Sequence, residues 1–285
     1  MKICLKDDKL RIIRILVANY LIVKKNKHLF FPKRMNKFIL TLLIFTSFQA
    51  LSQRDASDSI IGTPWVSISY GGNWTGGDLA SRFGYLNHIG FFAGYKTRKN
   101  WIYGIEGNFI FGNKIRLTSL FDHLVDSKGN ITDVNGDIAT VSVLSRGFNA
   151  SVSVGKIIPI FHTNKNSGIY LSAGAGYLAY KLRIETQDQV VPQIELEYKK
   201  GYDRLTTGLN LHQFLGYAFM ANQGAVNFYG GFYISEGLTY NRRNVFFDQP
   251  DTPVSKELRM DVQYGFKVAW LIPIYKRLPK AYYYN

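Results

Sequence analysis

Four polar side chains sit in stretches whose alternate residues are apolar: Glu106 in WIYGIEGNFIFG, Asn210 and His212 in TGLNLHQFLGYAF, and Lys267 in DVQYGFKVAWLIP. A carboxylate, an amine, an imidazole and an amide gathered out of water make either a buried polar network or an acid–base site. An isolated charge is costly to bury, so Glu106 and Lys267 are expected to pair, with His212 and Asn210 completing an interior network. The competing chemistry is catalytic. His88 shares the polar parity of its stretch and Ser81 lies in the loop before it, but no tight spacing joins them and no carboxylate stands beside them. Metal chemistry has less support. His88, His123, His162 and His212 are scattered, and the only cysteine is Cys4, so neither a metal site nor a cofactor is expected.

A second set is purely cationic. Arg98, Lys99, Lys156 and Lys165, with Lys96 beside them, fall in or next to the shorter connections; Lys276, Arg277 and Lys280 fall in the final segment. No acidic residue lies among them, and only Asp55 and Asp58 near the start offset them. Their expected role is snorkelling to phospholipid head groups or docking to an acidic partner in the cell envelope.

These residues need a scaffold, and the sequence supplies period-2 alternation almost throughout. In WVSISYGG, Val66, Ile68 and Tyr70 oppose Ser67, Ser69 and Gly71. Similar strands follow at NHIGFFAGYK, WIYGIEGNFIFG, GFNASVSVGK, GIYLSAGAGYLAY, TGLNLHQFLGYAF, VNFYGGFYIS and DVQYGFKVAWLIP. Each has one apolar, aromatic face and one face of Gly, Ser, Asn and isolated charges. The second face is too polar for a sandwich core and too glycine-rich for a solvent face. It suits the crowded inside of a narrow closed barrel whose outside meets lipid. Strands of this length are sufficient to cross a membrane.

Connections alternate in length. The second-to-third and sixth-to-seventh are short, and the fourth-to-fifth is intermediate (156–167). The others are long. Long loops outside and short turns in the periplasm are expected of an outer-membrane barrel, which places both chain ends on the periplasmic side. Residues 113–121 and 137–145 alternate as if to prolong the third and fourth strands into a protruding hairpin that offers a binding surface. Residues 198–204 are similarly expected to extend the sixth strand.

The 285 residues carry a formal charge of +15, but residues 1–34 hold ten Lys/Arg and two Asp of it. From Gln53 onward 24 basic residues face 18 acidic ones, so nucleic-acid binding is not read from the total. MNKFILTLLIFTSFQALSQ explains the division: a basic start at Met35–Asn36–Lys37, an apolar run at 38–48, and small residues Ala50 and Ser52 before Gln53. The reading is an upstream extension (1–34), a cleaved signal peptide (35–52), a periplasmic segment (53–64), the barrel (65–274) and a periplasmic tail (275–285). An uncleaved anchor helix is the alternative for the apolar run.

The last strand carries a specific resemblance. Gln263, Gly265, Val268 and Trp270 match in order the C-terminal sorting signal of outer-membrane barrels: polar, any, glycine, two of any kind, then two hydrophobic or aromatic residues at alternate positions. With the signal peptide and the loop pattern, the chain resembles small eight-stranded outer-membrane barrels of the OmpA/OmpX type, over roughly 65–274. The resemblance implies an all-β, closed antiparallel transmembrane barrel in the outer membrane of a Gram-negative bacterium, inserted by the barrel-assembly machinery. It implies contact with outer-membrane lipids and a non-enzymatic structural, adhesion or interaction role, or that of an accessory subunit in an envelope complex. Lipid-modifying barrel enzymes, which use a histidine with a carboxylate and a serine near the outer rim, are the alternative, as is a narrow pore. The departure from the pattern is the tail YKRLPKAYYYN after the signal.

Overall fold

The structure, a computed structural model, describes residues 60–160, 164–187, 189–195, 197–221 and 227–273. The expected signal peptide, His162, and the tail with Lys276, Arg277 and Lys280 lie outside the described residues. The strands are β1 Thr63–Gly77, β2 Leu86–Lys96, β3 Trp101–Gly112, β4 Ile131–Thr132, β5 Ile138–Ala139, β6 Ser142–Ile158, β7 Gly168–Glu185, β8 Thr206–Met220, β9 Asn227–Asn241 and β10 Arg259–Pro273. Eight of them close into a barrel in the order β1-β10-β9-β8-β7-β6-β3-β2, every pair antiparallel. β4 and β5 form a separate small hairpin. β1 meets β10 from Trp65↔Pro273 to Gly77↔Asp261, so no strand edge is left open, as a lipid environment demands.

The orientation of the faces follows β10. Val268 is 59% exposed and Phe266 50%, while Gln263 is 4% and Lys267 3% exposed. The apolar parity points outward on every barrel strand, as with Ile68, Phe91, Ile105, Phe148, Leu171, Leu209 and Phe232. In water such a surface would drive aggregation; in a bilayer it is the lipid contact. Aromatic residues mark both rims, Tyr95, Trp101 and Tyr103 at one end and Trp74, Tyr85 and Tyr240 at the other. Among the described residues no helix is long and apolar enough to cross a membrane.

The interior is filled in layers. Glycine makes room where a large side chain turns inward. A Cβ at Gly71 would lie 2.3 Å from the His88 ring, and one at Gly174 2.4 Å from the His212 ring. Gly174→Val should therefore lower the urea-unfolding stability of the micelle-folded protein by about 1–3 kcal/mol through overpacking. An unchanged midpoint would contradict this account of the interior.

Several expectations about the outer end need correction. Residues 113–121 do not prolong β3, which stops at Gly112; they cross the barrel mouth, with one isolated bridge at Phe83↔Ile115. The hairpin in this connection is the short β4–β5 pair, not a continuation of β3. Leu120, Ile131 and Ala139 instead bury against Leu79, Phe83, Leu178, Leu182, Ile194 and Tyr202, with Ile115 and Leu117 packed on the margin. The alternating apolar residues of this loop cover the mouth because burying them there removes more apolar surface from water than a free hairpin would. Residues 137–145 prolong the fourth strand only in part: Ser142–Ser145 belong to β6, while Ile138–Ala139 form β5 and pair with β4. Residues 198–204 contain a one-turn helix, Lys199–Tyr202, rather than a strand extension. β7 and β9 run further than expected, to Glu185 and Asn241, because Tyr180, Leu182 and Thr239 have inward partners at the outer end. β1 also continues through GGNWTGG, placing Asn73 and Thr75 inside and leaving only 78–85 to reach β2.

Polar contacts tie this cap to the wall. Arg82 donates to Thr206 Oγ1 at 2.9 Å and to Asn241 Oδ1 at 2.8 Å. Burial, with repulsion from Arg259 next, pulls its guanidinium pKa down to about 10, so it stays charged at neutral pH. Arg204 pairs with Asp248 and lies 3.7 Å over the Phe246 ring, and Arg243 pairs with Asp203. The acidic second loop spends its carboxylates on turns: Asp126 accepts from the Lys128 and Asn130 amides, and Asp133 from those of Asn135 and Asp137.

Candidate functional site

The polar layer lies midway through the barrel. Glu106 on β3 and Lys267 on β10 form a buried ion pair across the interior. Asn108 Nδ2 donates to the same Glu106 oxygen at 2.9 Å. The Lys267 ammonium also lies 5.2 Å from the centre of the Tyr233 ring, a cation–π arrangement in a dry setting. Tyr233 in turn is flanked by two imidazoles, His88 at 5.3 Å and His212 at 5.9 Å between ring centres.

The four expected members of the network are thus only partly united. Glu106 and Lys267 bond directly. His212 joins through the face of Tyr233, without a protein hydrogen bond at either ring nitrogen. Asn210 belongs to a separate pair, accepting from Ser235 Oγ at 2.6 Å. Five participants were not assigned to this network in the sequence: Asn73, His88, Asn108, Tyr233 and Gln263. Asn73 Nδ2 lies 3.1 Å from His88 Nδ1 and 3.4 Å from Gln263 Oε1. Inward parity marks Asn108 and Tyr233, whereas Asn73 hides among glycines that resemble a turn. Nearer the outer mouth, Asp261 accepts from Tyr180 and Thr239, each at 2.6 Å.

Toward the end that carries the β2–β3 and β6–β7 connections an aromatic plug follows. Trp65, Phe92, Ile102, Ile157, Tyr170, Phe214, Tyr229 and Leu271 are buried together, and every one of the eight barrel strands contributes to the cluster. Tyr170, Phe214 and Tyr229 pack edge-to-face or tilted, with ring centres 5.3 to 5.5 Å apart. An eight-stranded barrel is only wide enough for its own side chains, and here they are bulky rings.

The candidate catalytic residues are not brought together. His88 is enclosed between Tyr233 and Asn73, while Ser81 is exposed and donates to the Asp78 carbonyl at 2.7 Å. His123 stacks on Tyr202 in the cap. Among the described residues no three His, Cys, Asp or Glu side chains gather as a metal site would require.

The cationic set is changed in one member. Arg98, Lys99 and Lys165 are exposed at the end of the barrel where the β2–β3 and β6–β7 connections lie. Lys156 is on the outer wall of β6, 4.9 Å over the Trp101 ring, as a snorkelling lysine at a rim would be. Lys96, however, is fully buried inside the barrel, donating to the Ile61 carbonyl at 3.0 Å and to Asn166 Oδ1 at 2.9 Å. It closes the mouth at that end and does not contribute to the basic surface. The sorting-signal residues are placed on β10 with Gln263 and Gly265 inside and Val268 and Trp270 facing out.

The fold is a closed antiparallel barrel of eight strands with an apolar outer wall and a packed interior. Similar solved structures include Neisserial surface protein A, with 10% identity, a TM-score of 0.36, and 74% of this chain and 98% of that one covered. Ail, the attachment invasion locus protein of Yersinia pestis, has 10% identity and a TM-score of 0.34, covering 74% and 99%. The N-terminal β-barrel domain of Pseudomonas aeruginosa OprF has 11% identity and a TM-score of 0.33, covering 74% and 100%. No protein-family model and no curated protein matches the sequence.

Proposed function

We propose that this protein is a sealed, non-enzymatic barrel of a Gram-negative outer membrane that acts through its two ends, as a structural or interaction protein and as an accessory subunit of an envelope assembly. The observation that carries this reading is the filled interior: a hydrophobic cap, a paired polar layer and an aromatic plug occupy the barrel in succession. With the lumen spent on packing, specific recognition falls to the rims and loops.

The periplasmic end is the stronger docking surface. Arg98, Lys99 and Lys165 are exposed there, and in this reading Lys276, Arg277 and Lys280 of the tail join them against phospholipid head groups or an acidic envelope protein. Gln263, Gly265, Val268 and Trp270 serve the barrel-assembly machinery during insertion. Co-purification in mild detergent tests the docking. Truncation after Ile274, and separately the pair Arg98→Glu and Lys99→Glu, should strip specific envelope proteins from the complex. An unchanged set of partners in both variants overturns the docking role.

A further inference from the structure

The outer rim holds a second charged feature that the reading above does not use. A cleft of about 820 Å³ opens on the outer wall where β6 and β7 leave the apolar band. Arg146, Lys181 and Arg183 project from these strands on the lipid-facing parity, Lys199 and Lys200 overhang them from the one-turn helix, and Arg243 closes one side. The lining carboxylates are Glu185 and Asp203, and both are already engaged, Glu185 with Arg183 at 2.6 Å and Asp203 with Arg243. Lys200 pairs with Glu197 outside the cleft lining, Arg146 donates to a backbone carbonyl, and among the described residues no carboxylate pairs with Lys181 or Lys199. A concentration of unbalanced cations in a concave wall attracts and holds anions.

The height of the cleft selects the anion. Arg146 and Lys181 are register partners, and two residues further down the same face lie Phe148 and Ala179, then Ala150 and Tyr177. Phe148 and Tyr177 are exposed lipid-facing rings with centres 6.4 Å apart, and Phe109 forms the cleft's apolar floor. Cations therefore begin about 7 Å above the apolar band, at the strand rise of about 3.4 Å per residue. That is head-group height, on the side of the barrel where the long connections lie. Arginine matches phosphate oxygens in pairs, and lysine adds point charge.

We propose that this cleft binds the phosphate groups of an anionic lipid in the outer leaflet, with the lipid's acyl chains lying on Phe109, Phe148 and Tyr177. The proposal rests on the barrel spanning a membrane. The test uses wild-type protein and the variant Lys181→Gln with Lys199→Gln, neither side chain holding an ion pair among the described residues, reconstituted in phosphatidylcholine nanodiscs. The discs are doped with a bis-phosphorylated glycolipid or with the same lipid after enzymatic dephosphorylation. Native mass spectrometry reads the lipid retained. The wild type should retain the phosphorylated form over the dephosphorylated one by about tenfold, and the variant should lose most of that preference, as two surface cations facing anionic lipid imply. Equal retention of both lipids by the wild type, or an undiminished preference in the variant, overturns the site. Full competition by millimolar inorganic phosphate or by a soluble sulfated glycan overturns the assignment to a lipid. Failure of the wild type to insert into undoped phosphatidylcholine, read by heat-dependent gel mobility, would instead sink the membrane reading itself.

Discussion

Lys267→Met should destabilise the barrel by about 3–5 kcal/mol, because it leaves Glu106 buried without a cationic partner. The pair sits in the middle layer, with Glu106 8% and Lys267 3% exposed. Asn108 alone would remain to bond the carboxylate, and a neutral amide cannot replace a charge. The size of the effect comes from the stranded carboxylate, which the double variant exposes. Glu106→Gln with Lys267→Met removes both charges and should recover most of the loss, since a buried pair replaced by neutral groups of similar volume is often neutral or stabilising. Urea unfolding of micelle-folded protein, followed by tryptophan fluorescence, measures all the variants. A Lys267→Met cost near that of an ordinary surface change would mean that the pair is wet, and that the interior is open to water.

Removing the plug should have the second large effect. Phe214→Ala and Tyr229→Ala each delete a ring from a cluster in which neighbouring centres lie 5.5 Å apart or less. Each truncation should cost about 3–5 kcal/mol, lost transfer energy plus the cavity left behind. The wall limits relaxation here: the barrel's closed hydrogen-bonded ring cannot collapse inward as a helical core can. Tyr229 also shares a hydrogen bond with Ser67 Oγ at 3.1 Å, so its loss leaves a hydroxyl on the far strand to be solvated. Together the two changes open the plug and should create a water-filled path.

The strand faces and the central ion pair were legible in the sequence because both depend on parity. Glu106 and Lys267 each sit among small or polar residues on the inward face of an alternating strand, and in a closed narrow barrel the inward charges have few places to go. The cap was not legible. Ile115 and Leu117 alternate as strand residues do, but alternation shows only that one face wants burial, and it cannot say whether that burial comes from pairing beyond β3 or from folding over the mouth. Lys96 shows the same limit from the other direction. Its parity points inward, yet its place beside a short basic turn suggested the surface. What holds it inside is the Ile61 carbonyl and Asn166, 35 and 70 residues away in the chain. Asn73 was hidden because glycines that allow strands to approach closely in a barrel are the same residues that mark turns.

The central claim is that the lumen is closed by packing and that the protein works at its ends. Planar-bilayer conductance tests this most directly, recorded on the wild type beside Phe214→Ala with Tyr229→Ala, each first shown to be inserted by heat-dependent gel mobility. The account predicts a silent baseline for the wild type and discrete conductance steps for the double variant. Steady conductance through the wild-type barrel, unchanged when the plug is removed, would contradict it.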